Sequence, residues 1–257
     1  MRNLRLLIAY DGTDFHGWQR QPDAPTVQGC LEEALAKLTR APVHIWGSGR
    51  TDAGAHALNQ VANFKTECPI PCENLQKALN NLLPPSVRVK QVDEAPEKFH
   101  ARYDVRSKTY RYRILQAPIC SPFLWRFVYH HAFPLDQRRM AEAAAIFIGE
   151  HDFTSFAGSE GRTDEAEEAA SPAPHSMVRE IFSSRLLWRP RTSMLIYEVR
   201  GSGFLHHMVR NIVGTLLEVG RGKLVPREME RILEARDRTQ AGPTAPARGL
   251  CLVKVEY

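Results

Sequence analysis

Residues 43–66, VHIWGSGRTDAGAHALNQVANFKT, decide the fold. Two strand-like runs, 43–47 and 59–66, flank a loop in which glycine and alanine predominate. Upstream, residues 4–10 (LRLLIAY) read as a buried strand. Thr26 is placed to cap a helix whose apolar positions are Val27, Leu31, Leu35 and Leu38 and which ends before Pro42. Downstream, Leu75, Leu79, Leu82 and Leu83 stand at helical spacing over 73–83 until Pro84-Pro85 stops them, and 87–93 (VRVKQVD) alternates as a strand. The order β-α-β-β-α-β is the split βαβ, or ferredoxin-like, arrangement.

The same order is expected again. Strands are predicted over 108–116 and 127–131, a helix opened by Asp136 over 136–148, a hairpin of 178–188 and 193–200, helices over 204–219 and 226–236, and a closing strand over 250–256. The fold class is therefore α+β: two ferredoxin-like halves with mixed, mainly antiparallel sheets. The expected domains are 1–105, carrying the glycine-rich loop, and 106–257. Residues 159–176 lack large apolar side chains and are expected to be a mobile acidic loop.

The 257 residues allow one large domain or two small ones. With 43% hydrophobic and 25% charged residues, the composition excludes collagen, coiled coil and disorder of the whole chain. There is no run of ~18 uncharged apolar residues to span a membrane, and the chain opens directly on a strand, without the apolar core of a signal peptide. The five cysteines, Cys30, Cys68, Cys72, Cys120 and Cys251, are scattered and odd in number, which argues against a disulfide framework and for the cytoplasm. Only Cys68 and Cys72 stand close, and no second pair completes a zinc site, so no metal is expected. The net charge is +5 although residues 160–168 hold five acids against one Arg, so the rest of the chain is more basic still. A basic body suits a polyanion such as nucleic acid.

Within the loop 47–57, Arg50 and Asp52 are the charged residues amid three glycines and three alanines. Small residues let a substrate come close to the backbone; a hairpin-like turn with a surface ion pair is the plainer reading. Walker A and dinucleotide loops are excluded: no Lys follows a glycine here, and the third glycine position is Asp52 after Gly47 and Gly49, and His206 after Gly201 and Gly203. From Lys98 to Arg113, six basic residues meet one acid, Asp104, with Tyr103, Tyr110 and Tyr112 interleaved. Such a strand either neutralises phosphates and stacks on an extruded base, or is a solvated face with tyrosines in the core. In residues 204–217, Phe204, Met208, Ile212 and Leu216 form a core stripe. His206 and His207 would point roughly 100° apart on that helix, too divergent for a shared metal. Arg210 lies deep in the apolar helix and needs an anionic partner, for which Asp52 is the nominee. Gly-Arg-Thr-Asp recurs at 161–164, but within the acidic segment, so Asp164 reads as a coincidence.

Together these motifs resemble the tRNA pseudouridine synthase A family. The matching segments are Tyr10–Gln21 (YDGTDFHGWQRQ), Gly49–His56 (GRTDAGAH), Phe99–Arg102 (FHAR), Lys108–Tyr112 (KTYRY), His151–Phe156 (HDFTSF) and Phe204–Gly214, in family order over nearly the whole chain. The resemblance implies isomerisation of uridine to pseudouridine at positions 38, 39 and 40 of the tRNA anticodon stem-loop. The halves would then frame a central RNA-binding cleft. It gives Asp52 as the nucleophile, Tyr110 as the active-site tyrosine, Arg210 as the arginine paired with that carboxylate, and Arg50 as an aid to base extrusion. It also implies a homodimer with no cofactor. Two departures stand out: Ala55 where the family usually has Val, and a longer, more acidic segment at 159–176. The chemistry suits the residues, since breaking C1′–N1 and joining C1′ to C5 needs neither redox change nor metal, while the base must leave its stack. Attack at C1′, addition at C6 and a glycal route all remain open to a carboxylate. The alternative, a non-catalytic tRNA-binding or RNA-chaperone protein, explains the basic strand but not a carboxylate placed where it would repel phosphate.

Overall fold

The computed structural model describes residues 1–158 and 176–257; the acidic run at 160–168, and Asp164 with it, lies outside them. Ten strands are described: β1 (Arg2–Tyr10), β2 (Trp46–Gly47), β3 (His56–Thr66), β4 (Val87–Ala95), β5 (Ser107–Leu115), β6 (Tyr129–His130), β7 (Gly149–Asp152), β8 (Val178–Arg189), β9 (Met194–Gly201) and β10 (Leu250–Glu256). Five α-helices join them: α1 (Val27–Thr39), α2 (Cys72–Leu82), α3 (Gln137–Ala145), α4 (Met208–Gly220) and α5 (Glu228–Ala235). The architecture is α+β with mostly antiparallel pairing. No helix among the described residues is long and apolar enough to cross a membrane.

The chain divides into two compact units, and β5 passes from one to the other. The first holds residues 1–111, 122–128 and 247–257. Its strands run β4-β1-β3-β10-β5, with β2 on β3. β1 pairs antiparallel with β3 and β4, and β2 with β3. The exception is β10, which runs parallel to β3 with Cys251 opposite His56. This pairing between distant segments brings the closing strand into the first unit, whereas the sequence keeps residues 250–256 with 106–257; no local periodicity encodes it. Alternation does encode the core: Leu4, Leu6 and Ile8 of β1 are buried with Phe64 of β3 and Leu31 and Leu35 of α1. Thr26 caps α1 as its sequence foretells, accepting from Gly29 N at 3.2 Å.

The second unit holds residues 112–121 and 129–246. Its strands run β5-β9-β8-β7, with β6 on β5. β8 and β9 form the expected hairpin, turned at Pro190–Thr192. Asp136 caps α3 by accepting from Arg139 N at 3.0 Å. β7, a four-residue polar strand paired on β8, gives no alternating signal to read. A T-shaped contact sets Phe147 on Phe156, centroids 5.1 Å apart, within a fully buried cluster that includes Phe153.

One expectation about α4 is corrected. The helix begins at Met208 rather than 204, because His207 adopts left-handed backbone at φ 58. His206 and His207 therefore precede the helix, and their rings stack with centroids 3.7 Å apart instead of diverging. Met208, Ile212 and Leu216 of the predicted stripe are fully buried.

Candidate active site

The glycine-rich loop joins β2 to β3 and is fixed at nearly every residue. Ser48 N donates to Val61 O at 2.8 Å, and its hydroxyl donates to Gln60 Oε1 at 2.5 Å. Gln60 Nε2 in turn donates to Gly49 O at 2.9 Å. Thr51 O accepts from Trp18 N at 3.0 Å, while its hydroxyl shares a 2.8 Å hydrogen bond with the Tyr10 hydroxyl. Asp52 then opens a four-residue turn, its carbonyl accepting from Ala55 N at 3.0 Å. The third position of that turn is Gly54, at φ 78, a conformation that glycine adopts without steric cost.

The segment 11–18, from the motif Tyr10–Gln21, cradles this loop backbone against backbone. A Cβ on Gly12 would stand 1.9 Å from Ala55 O. Gly17 has φ 92, and a Cβ there would lie 2.6 Å from Thr51 O. Only glycine permits either approach. The Asp52 carboxylate is thus mounted on a braced scaffold and is only half-buried.

Tyr110, on β5, is 8% exposed. Burial pushes its phenol well above the ordinary tyrosine range, and the nearby Tyr10, Asp52 and Cys251 push the same way. Asp52 and Tyr110 are therefore within electrostatic reach of each other, and Tyr110 is a neutral phenol at any working pH. Tyr10 is likewise raised by burial, in part offset by its hydrogen bonds to Thr51 and Gln60. Arg50 is exposed on the same loop. The Lys108 ammonium lies over Gly49, where a Cβ would come within 2.5 Å of Nζ.

The basic strand divides between its two readings. Lys108, Arg111 and Arg113 are half-buried, whereas Tyr112 is wholly core and donates to Pro246 O at 2.7 Å. Arg210 belongs to the second unit, on the first turn of α4. Its Nε donates to Ala245 O at 2.8 Å, and its own carbonyl accepts from Ala245 N at 3.1 Å. The sequence marks Lys108 only as one of six basic residues, and Tyr10 and the two cradle glycines only as members of a motif. Their signal was the motif Tyr10–Gln21 and the first residue of Lys108–Tyr112, each legible as a motif but silent about what it touches.

A family model described as tRNA pseudouridine synthase matches residues 6–104 and 143–257. A protein of Solibacter usitatus named tRNA pseudouridine synthase A is 53% identical over 257 residues, covering the whole of both chains. Proteins of the same name from Brevibacillus brevis and Caldicellulosiruptor bescii are 45% and 44% identical, again over the whole of both chains.

Proposed function

Since the chain belongs to the tRNA pseudouridine synthase family, we propose that it isomerises uridines 38, 39 and 40 of the tRNA anticodon stem-loop with Asp52 as its catalytic carboxylate. Isomerisation of tRNA uridine is the family's activity and that of this chain. The C1′–N1 bond breaks, the uracil rotates, C1′ joins C5, and the C5 hydrogen leaves as a proton while N1 gains one. Atoms and electrons balance without an oxidant or reductant, and no cofactor or metal is invoked.

The braced carboxylate carries this reading. A chain that merely bound RNA would gain nothing from a rigidly braced carboxylate, whereas catalysis depends on reacting groups held in place. In this reading Asp52 acts on the flipped nucleotide as nucleophile or base, and the neutral Tyr110 ring supports the freed uracil. Arg50 assists extrusion of the base. Arg210, the arginine that the family resemblance pairs with the carboxylate, binds substrate. The enzyme works as a homodimer in the cytoplasm, and its two halves are split βαβ units. For the first half this is supported by the β4-β1-β3 order with β2 on β3.

The test is tritium release from a tRNA transcript carrying 5-tritiated uridine, with purified protein and nothing added. Wild-type protein should release tritium; Asp52→Asn should bind the transcript and release none. Turnover in Asp52→Asn removes Asp52 as the catalyst, and binding without release by the wild type moves the reading to a non-catalytic tRNA-binding protein.

A further inference from the structure

His56 stands four residues after Asp52, at the start of β3, and is 5% exposed. Both of its ring nitrogens are engaged. Nε2 lies 2.9 Å from Arg126 O and 3.2 Å from Arg248 O. Carbonyls only accept, so the proton is on Nε2. Nδ1 accepts from Gly12 N at 3.1 Å, with an Asp11 carboxylate oxygen 3.2 Å away. The ring also packs on Phe127, centroids 5.1 Å apart. Segments from three remote parts of the chain, 11–12, 126–127 and 248, therefore converge on one imidazole within the first unit. The segment at 126 is further tied to the cradle, since Arg126 Nη1 lies 3.0 Å from Asp14 Oδ2 and 3.6 Å from Asp11 Oδ2.

We propose that His56 is a positioning residue for the isomerisation: its ring pegs the end of the Asp52 loop to residues 126–127 and 248, and so fixes where the Asp52 carboxylate meets the nucleotide. This rests on the reading of Asp52 given above. The loop's other braces come from its own strand and from the 11–18 cradle. His56 carries a brace to two segments outside them, at 126 beside the Arg126–Asp14 ion pair and at 248. A displacement of about 1 Å at a reacting group can lower turnover roughly 100-fold with little effect on binding.

The geometry sets the variants. His56→Phe keeps a ring against Phe127 but removes both polar contacts. His56→Gln keeps a side-chain N–H near the position of Nε2, whereas His56→Asn, one carbon shorter, reaches only the position of Nδ1. Tritium release gives kcat and KM, filter binding gives tRNA Kd, and thermal melting reports the fold, with Asp52→Asn alongside. The expected result is a kcat about 100-fold down in His56→Phe with Kd within about twofold of wild type, and recovery to within about tenfold in His56→Gln but not in His56→Asn. Wild-type kcat in His56→Phe overturns the proposal. So does equal loss in the Gln and Asn variants, which would mark a core histidine with no directional role. If His56→Phe does not fold, the Gln and Asn pair decides by the same criterion. Turnover in Asp52→Asn instead overturns the reading of Asp52, so the two failures are distinct.

Discussion

At the scale of single residues, Tyr110 shows how burial selects a role. A phenol held neutral beside a carboxylate is a poor base; what it offers is an apolar ring and a hydrogen-bond donor. Stacking of a base on an aromatic ring is worth roughly 1–3 kcal/mol by alanine substitution. Tyr110→Phe should then keep tritium release within about tenfold of wild type, while Tyr110→Ala should lower it by about 10- to 100-fold. Because burial raises this pKa, the phenol does not titrate between pH 6 and 9. The wild-type rate profile should have no alkaline limb that belongs to it. A limb that vanishes in Tyr110→Phe would show the phenol acting as an acid or base.

At the scale of elements, the cradle and the loop depend on glycine for two separate reasons, close approach and positive φ. Gly12→Ala would drive a methyl group into Ala55 O and displace the turn that carries Asp52. Gly17→Ala adds backbone strain of about 1–3 kcal/mol to a similar collision. Both variants should lose kcat by about 100-fold or more. Gly222, at φ 76 with open space for 4 Å around the place a methyl group would take, is the natural control. Gly222→Ala should lower the melting temperature by a few degrees and leave kcat unchanged. Full activity in Gly12→Ala would mean that the cradle does not position the loop. These contacts also mark the limit of what the sequence discloses. Apolar alternation and capping residues announce β1, β3, β4, α1 and α3, because those signals are local. The glycine pattern announces the Asp52 loop. The cradle joins backbone to backbone some 40 residues apart, and the left-handed His207 shortens α4 without any change of periodicity, so neither could be read in advance. Arg210 was legible as a charge in an apolar helix, but its bonds to Ala245 depend on how a distant segment folds back.

At the scale of the whole molecule, each unit is built around a buried phenol that burial pushes far above its ordinary range: Tyr10 and Tyr110 in the first unit, Tyr197 in the second. Unfolding returns these groups to water, where they ionise near pH 10. A group whose pKa is raised in the folded state stabilises fully below the unfolded value and loses that contribution as pH climbs above it. Stability should therefore be insensitive to these tyrosines below pH 10. Above it, each should subtract about 1.4 kcal/mol per pH unit, because the unfolded chain sheds protons that the folded chain keeps. Domains of this kind are stable by only about 5–15 kcal/mol, so three such phenols, together removing about 4 kcal/mol per pH unit, suffice to unfold the protein within about one to four pH units. Urea midpoints taken from pH 8 to 11.5 should hold level and then fall steeply past pH 10. Midpoints that stay level to pH 11.5 would mean that these phenols are open to solvent in the folded protein and that Tyr110 is no sealed partner to Asp52.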